Sequence, residues 1–264
     1  MKKLIYLFVI VLVVVASCKK DNTTTTPPGG TTTTLNPVQK QWGFVIEYTA
    51  TWCYYCGAWG ASTMDALCAT PYTAGVSCHS SNDPMYNATL YTSFYNDRTD
   101  GGGIPSFWIG DASNYQTGTL TSLLAQTATA AIDLNYTKSG TKMTVNTQTK
   151  FFAAGTGNYY LSVYLIESGI DGSTTAPTAY VQNNPPNPAT YKHMQVLRTT
   201  SVPSNAYGES IYSGAVTAGK TINKTYSLTI DPTWTKTLNV IAVLWKYDAT
   251  SAVPQYKYVN CFKK

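Results

Sequence analysis

Histidine is nearly missing from this sequence: His79 and His193 are the only two among 264 residues. Charged side chains are also scarce, at 12 % of the chain. Multi-histidine metal centres and histidine-dependent hydrolase sites have little to be built from, and no G-x-S-x-G, H-E-x-x-H or P-loop pattern occurs. No run of five or more basic residues occurs either, so the sequence lacks the clustered Lys and Arg of a nucleic-acid footprint. What replaces charge is Thr, Ser, Asn, Gly and 21 Tyr, beside an apolar fraction of 44 %. Such a chain can bury a core, and Thr and Tyr suit a pleated, half-buried surface. Its length allows one large domain or two ordinary ones.

The N-terminus has the layout of an export signal. Lys2 and Lys3 follow Met1, and Leu4 to Val15 is an unbroken apolar run. That run is shorter than the roughly 20 residues needed to span a bilayer and fits the apolar region of a secretory leader. Ala16-Ser17-Cys18 then places small residues before a cysteine, which resembles the lipobox of bacterial lipoproteins. The resemblance implies cleavage of residues 1–17 and acylation of Cys18; an ordinary leader with a chance cysteine at its end is the alternative. No Asp follows Cys18, which under lipoprotein sorting rules points to the outer membrane. Loss of Lys2 and Lys3 lowers the net charge from +5 to +3.

Residues 18–40 are dominated by Thr, Pro and Gly and read as a tether that cannot bury a face. From 41 to 132 the pattern alternates. Phe44 to Tyr48, Gly75 to His79 and Ser106 to Gly110 read as strands; the segment from Cys53 to Leu67, Pro84 to Asp97 and Thr119 to Ala131 read as helices. Beyond Asp133 the signal is period two, at Met143 to Thr149, Leu161 to Leu165 and Tyr226 to Ile230, with a two-sided apolar run from Leu238 to Trp245. The expectation is an α/β domain over 41–132 and an all-β, immunoglobulin-like sandwich over 133–264.

Trp52-Cys53-Tyr54-Tyr55-Cys56 is the sharpest motif, because it follows a strand and opens a helix. A cysteine at a helix N-terminus meets the positive end of the helix dipole and free backbone N–H groups, which favour its thiolate. The thiolate is the species that attacks a disulfide, and a second thiol one helical turn on can resolve the mixed disulfide. Two other readings stand beside this one: a purely structural disulfide, and a zinc knuckle, for which no second C-x-x-C exists. Assigning Cys18 to lipid leaves Cys53, Cys56, Cys68, Cys78 and Cys261, an odd number. A Cys68–Cys78 bridge is one option in an exported protein, and Cys261 pairing with either is another. His79 is either a partner of the dithiol or a packed side chain, and His193 reads as structural or interfacial.

The stretch from Trp42 to Ala131 resembles a thioredoxin fold. More narrowly, Glu47 to Cys53, His79 to Met85 and Tyr191 to Arg198 resemble the outer-membrane-protein-28-related family of exported proteins, often lipoproteins, from Bacteroidetes-type bacteria. The resemblance implies a cis-proline at Pro105 beside the dithiol and a buried Glu47 beneath it that shuttles the resolving proton. An ordinary loop proline and a strand-end Glu47 facing solvent are the alternatives to these two roles. The resemblance also implies cysteine-containing envelope proteins or a redox protein as partners, with no dissociable cofactor. Tyr54 and Tyr55 depart from the usual residues between such cysteines. The function expected is thiol–disulfide exchange outside the cytoplasm by Cys53, Cys56, Glu47 and Pro105; the rival is a non-enzymatic surface protein that uses the same fold as a binding scaffold.

Overall fold

A computed structural model describes residues 34–99 and 101–264. The leader over 1–17, Cys18 and the tether up to residue 33 lie outside the described residues. Residues 34–264 form one compact unit. The last residues of the expected tether belong to it: the Asn36 N–H donates to Asp133 Oδ2 at 2.8 Å and Gln39 Nε2 to Ala128 O at 3.0 Å.

The first half alternates strand and helix. β1 (Gly43–Thr49) pairs in parallel with β2 (Thr73–His79) and antiparallel with β3 (Ser106–Ile109), which turns into β4 (Ala112–Ser113). Between β1 and β2 lie a π-helical segment at Cys56–Gly60 and α1 (Ala61–Ala69); α2 (Ala88–Asp97) precedes β3, and α3 (Thr117–Leu124) follows β4. β1 reads apolar on both faces because both are covered. Phe44, Ile46 and Tyr48 pack with Leu90 and Phe94 of α2, whereas Val45 packs with Met64 and Leu67 of α1 and Leu120 of α3.

Two helices are shorter than their sequence pattern. α2 begins at Ala88, not at Pro84, because Asp83 holds Pro84–Tyr86 in a turn through the N–H groups of Met85 and Tyr86. Asn87 then caps the helix, its side chain accepting from the Leu90 N–H at 3.2 Å. α3 stops at Leu124, and Ala130 and Ala131, read as the end of that helix, open β5 (Ala130–Ser139). Alanine favours a helix in isolation, but here β5 gains a ladder partner and a buried face.

The second half is β-structure: β6 (Lys142–Phe151), β7 (Gly155–Ser168), β8 (Ile170–Asp171), β9 (Lys192–His193), β10 (Val196–Thr200), β11 (Glu209–Val216), β12 (Thr221–Thr229), β13 (Thr237–Tyr247) and β14 (Tyr256–Lys263). β12, β6 and β5 form a three-stranded sheet whose inward residues, among them Leu134, Val145 and Leu228, pack on Leu161, Val163 and Val240 of β7 and β13. This is a sandwich. Its second layer is not confined to residues beyond 133, however. The strands run in the order β14-β13-β7-β10-β2-β1-β3-β4, with β11 also on β7, so one sheet serves both halves. The α/β part and the sandwich expected from the sequence are both present, and they share that sheet.

Arg98 ties the end of α2 to the sandwich. It is fully buried, with ion pairs to Asp97 and Asp111 at 2.8 Å each. It also donates to Tyr207 Oη at 3.0 Å and to the Tyr256 carbonyl, and stacks over Trp245 at 4.6 Å. Its own carbonyl accepts from Tyr48 Oη at 2.7 Å. The loop that follows leads to Ile104 and Pro105.

Candidate functional site

Cys53 and Cys56 are joined in a disulfide at the C-terminal end of β1, where the chain turns from strand to helix. The Cys56 N–H points at Cys53 Sγ, 3.1 Å away, the arrangement that stabilises negative charge on that sulfur once the bond opens. Cys56 is buried, and Cys53 lines the wall of an open cleft of about 510 Å³. The Ile104–Pro105 peptide is cis, and the Ile104 carbonyl lies 3.5 Å from Cys53 Sγ. The structure thus brings Pro105 to the dithiol across 52 residues of sequence.

The cleft is aromatic. Trp52, Tyr54 and Tyr55 stand 50 %, 54 % and 63 % exposed around it, with Tyr91 and Tyr95 of α2 opposite. Large aromatics at that exposure are unsatisfied apolar surface. They sit beside the one sulfur of the pair that faces the cleft.

Glu47 lies in β1, on the strand that leads to the dithiol, and is buried at 3 % exposure. One oxygen, Oε2, accepts from Ser77 Oγ at 2.8 Å; the other, Oε1, has no hydrogen-bond partner. A Cβ on Gly60 would come within 3.2 Å of that Oε1 and 2.9 Å of Pro105 Cβ, so a glycine is what lets the π-helical segment lie against both groups. Burial raises the Glu47 pKa from its ordinary 4.5 to about 7, against the lowering effect of the Ser77 hydrogen bond. A cavity of about 10 Å³, room for about one water, lies behind it and is lined by Glu47, Ser77, His79, Tyr191 and Gln195.

His79 is engaged by partners other than the sulfurs. Its Nδ1 lies 2.9 Å from Asp83 Oδ2, which also accepts from the Thr51 N–H at 2.6 Å, and its ring packs edge-on against His193, 5.7 Å between centroids. It is a packed side chain that acts on the Thr51 turn through Asp83. Desolvation would raise the Asp83 pKa, but the hydrogen bonds from His79, Thr51 and Met85 outweigh it and lower it. His193 Nε2 lies 2.8 Å from the Tyr180 carbonyl. Burial, with His79 beside it, pulls its pKa down to about 4, so it is neutral at physiological pH.

The candidate Cys68–Cys78 bridge is absent: Cys68, Cys78 and Cys261 are free thiols. The reason is the sheet. Cys78 lies with Phe44 and Ile46 on one face, and Cys68 lies with Val45 and Met64 on the other. Burial pushes the Cys68 and Cys261 thiols up to about 12 and the Cys78 thiol higher still, which keeps all three protonated and inert.

Gln182 and Asn183 also reach the dithiol turn, and the sequence offered no sign of it. They stand beside a Pro- and Asn-rich turn cluster, 129 residues or more from the groups they touch.

No family model and no curated protein sequence matches this chain. The solved structure of HBP35 of Porphyromonas gingivalis is similar in fold, with a TM-score of 0.66 at 15 % identity over 87 % of this chain and 76 % of that one. The likeness is of fold, and it spans both the α/β part and the sandwich.

Proposed function

We propose that the protein is a thiol–disulfide oxidoreductase acting on cysteine-containing proteins outside the cytoplasm. The observation that carries this reading is the Cys53–Cys56 disulfide just after β1, with the cis Ile104–Pro105 step beside Cys53 and Cys53 lining an open cleft; the buried acid Glu47 in the same strand supports it. The strand order β4-β3-β1-β2 with β3 antiparallel to its neighbours, and helices on both faces, supports a thioredoxin-like layout. The facing antiparallel sheets of the second half support an immunoglobulin-like one.

From the disulfide state, a substrate thiolate attacks Cys53 Sγ, the Cys53–Cys56 bond breaks, and Cys56 leaves as a thiolate that Glu47, when protonated, neutralises. A second substrate thiolate attacks the mixed disulfide and releases Cys53. Two electrons have then passed from the substrate to the Cys53–Cys56 pair. The reverse sequence reduces a substrate disulfide, with Glu47 as the base that frees the Cys56 thiolate. The aromatic walls favour cysteines flanked by apolar or aromatic residues. No dissociable cofactor enters these steps; a redox partner protein resets the pair.

Anchoring at the outer membrane through Cys18 is part of the same proposal and rests on the sequence of the leader. Labelled fatty acid is expected in the wild-type chain and not in Cys18→Ala; label in both removes the anchor from the reading. No helix among the described residues is long and apolar enough to cross a membrane.

Equilibration with redox buffers tests the chemistry. The dithiol is expected to exchange at a potential above about −300 mV, the range below which structural disulfides lie. A lower value, together with no disulfide transfer to a model dithiol peptide, leaves only the scaffold reading. In Cys56→Ser, the Cys53 thiolate is expected to attack a model peptide disulfide, release one peptide thiol and hold the other half as a mixed disulfide that accumulates, because the resolving sulfur is gone. Failure to accumulate would remove Cys53 as the attacking residue.

A further inference from the structure

The segment between β8 and β9 crosses from the sandwich to the dithiol and binds the whole turn ahead of it. Gln182 Nε2 donates to Ala50 O and to Cys53 O, at 3.2 Å each. The Asn183 N–H donates to Thr51 O at 2.8 Å, and Asn183 Nδ2 to Trp52 O at 3.2 Å. All four carbonyls from Ala50 to Cys53 therefore receive a donor from these two residues. The fit is close enough to constrain the helix: a Cβ on Gly57 would stand 1.8 Å from Asn183 O, so only glycine fits there. The segment is itself anchored, by the Gln182 N–H on Gly172 O at 3.0 Å and by His193 on Tyr180 O at 2.8 Å. Gln182 is buried, and Asn183 is exposed.

We propose that Gln182 and Asn183 are positioning residues of the Cys53–Cys56 exchange site, supplied by the sandwich half of the chain. The physical argument has two parts. Carbonyl oxygens carry partial negative charge, and four of them close to an opening disulfide oppose a thiolate on Cys53. Donors placed on those oxygens offset that opposition. Holding the turn rigid also keeps the Cys56 N–H aimed at Cys53 Sγ, 3.1 Å away. Both effects stabilise the reduced, thiolate-bearing state relative to the disulfide. The α/β unit alone thus carries the sulfurs but only some of the groups that set their poise.

The inference rests on the exchange reading above. Its test is the dithiol–disulfide equilibrium of the full chain in dithiothreitol buffers, for wild type, Gln182→Met, Asn183→Ala and the control Thr178→Ala. Thr178 lies on the same segment, exposed, with no side-chain bond to the turn. Gln182→Met keeps the volume and removes both donors. Its equilibrium is expected to move about tenfold toward the disulfide, which is about 30 mV for a two-electron couple. Asn183→Ala removes only the donor on Trp52 O, at an exposed position that leaves folding intact, and is expected to move it about threefold. Thr178→Ala is expected to match wild type. Unchanged equilibria in both variants, or an equal shift in the control, overturns the assignment. A wild-type potential in the range of structural disulfides overturns the exchange reading instead, and the shift between variants stays readable in the same buffers.

Discussion

Arg98→Met is expected to lower the free energy of unfolding by about 3–5 kcal/mol, the range found when one partner of a buried ion pair is removed. Methionine fills much of the volume, so the loss reports charge and hydrogen bonding more than a cavity. Four groups lose their donor at once: Asp97, Asp111, Tyr207 Oη and the Tyr256 carbonyl. Asp97 is nearly buried and keeps the N–H groups of Gln255 and Tyr256, so its charge stays inside without its cation. The stacking over Trp245 goes as well. Because Tyr48 in β1 holds the Arg98 carbonyl, the disturbance reaches the loop that carries Ile104 and Pro105. Denaturant unfolding of the oxidised chain measures this; a change below about 1 kcal/mol would show that Arg98 is not the tie between α2 and the sandwich.

The second expected effect concerns Glu47 and has a fixed sign. Its pKa is raised on folding from 4.5 to about 7, mainly by desolvation. Below pH 4.5 the carboxyl is protonated in both states and costs nothing. As pH rises from 4.5 to about 7, the unfolded chain ionises while the folded one resists, and the fold loses about 3 kcal/mol, a loss that is complete above pH 7. Glu47→Gln removes this slope, so the variant is expected to be more stable than wild type at pH 8 and to differ less at pH 4.5. The same substitution removes the proton acceptor for Cys56. Reduction of a substrate disulfide by the reduced wild-type protein is expected to slow as pH falls through about 7, and Glu47→Gln to lower the resolving rate by about 100-fold with that limb flattened. A variant with wild-type rate and pH profile would leave Glu47 a buried acid without a part in the exchange. Stability and activity move in opposite directions here, as expected of a strained functional group.

The disulfide pair, the buried acid in β1 and the cis Ile104–Pro105 step were legible because local chemistry marks them. A cysteine pair one helical turn apart after an apolar strand, an acid inside that strand and an Ile-Pro step before the next strand are all written within short windows. The helix ends were less legible. Pro84 and Ala130–Ala131 have sequence preferences that Asp83, Asn87 and the β5 ladder override. A Cys68–Cys78 bridge was allowed by spacing and excluded by the pleat, since which face of a sheet a cysteine meets depends on its partners.

By itself the sequence determined the strand-to-helix placement of Cys53 and Cys56, the alternation of an α/β half with a period-two half, and the scarcity of histidine and charge that makes the cysteine pair the sharpest chemical signal. These follow from periodicity and residue type, which act over a few residues. Tertiary structure decided that the two halves share one sheet, that Arg98 is sealed between them, and that Gln182 and Asn183 close over the dithiol turn. Those contacts join groups from about 100 to more than 150 residues apart. No local preference encodes such a pairing; it follows only when burial of both faces of β1 and β7 fixes which surfaces meet.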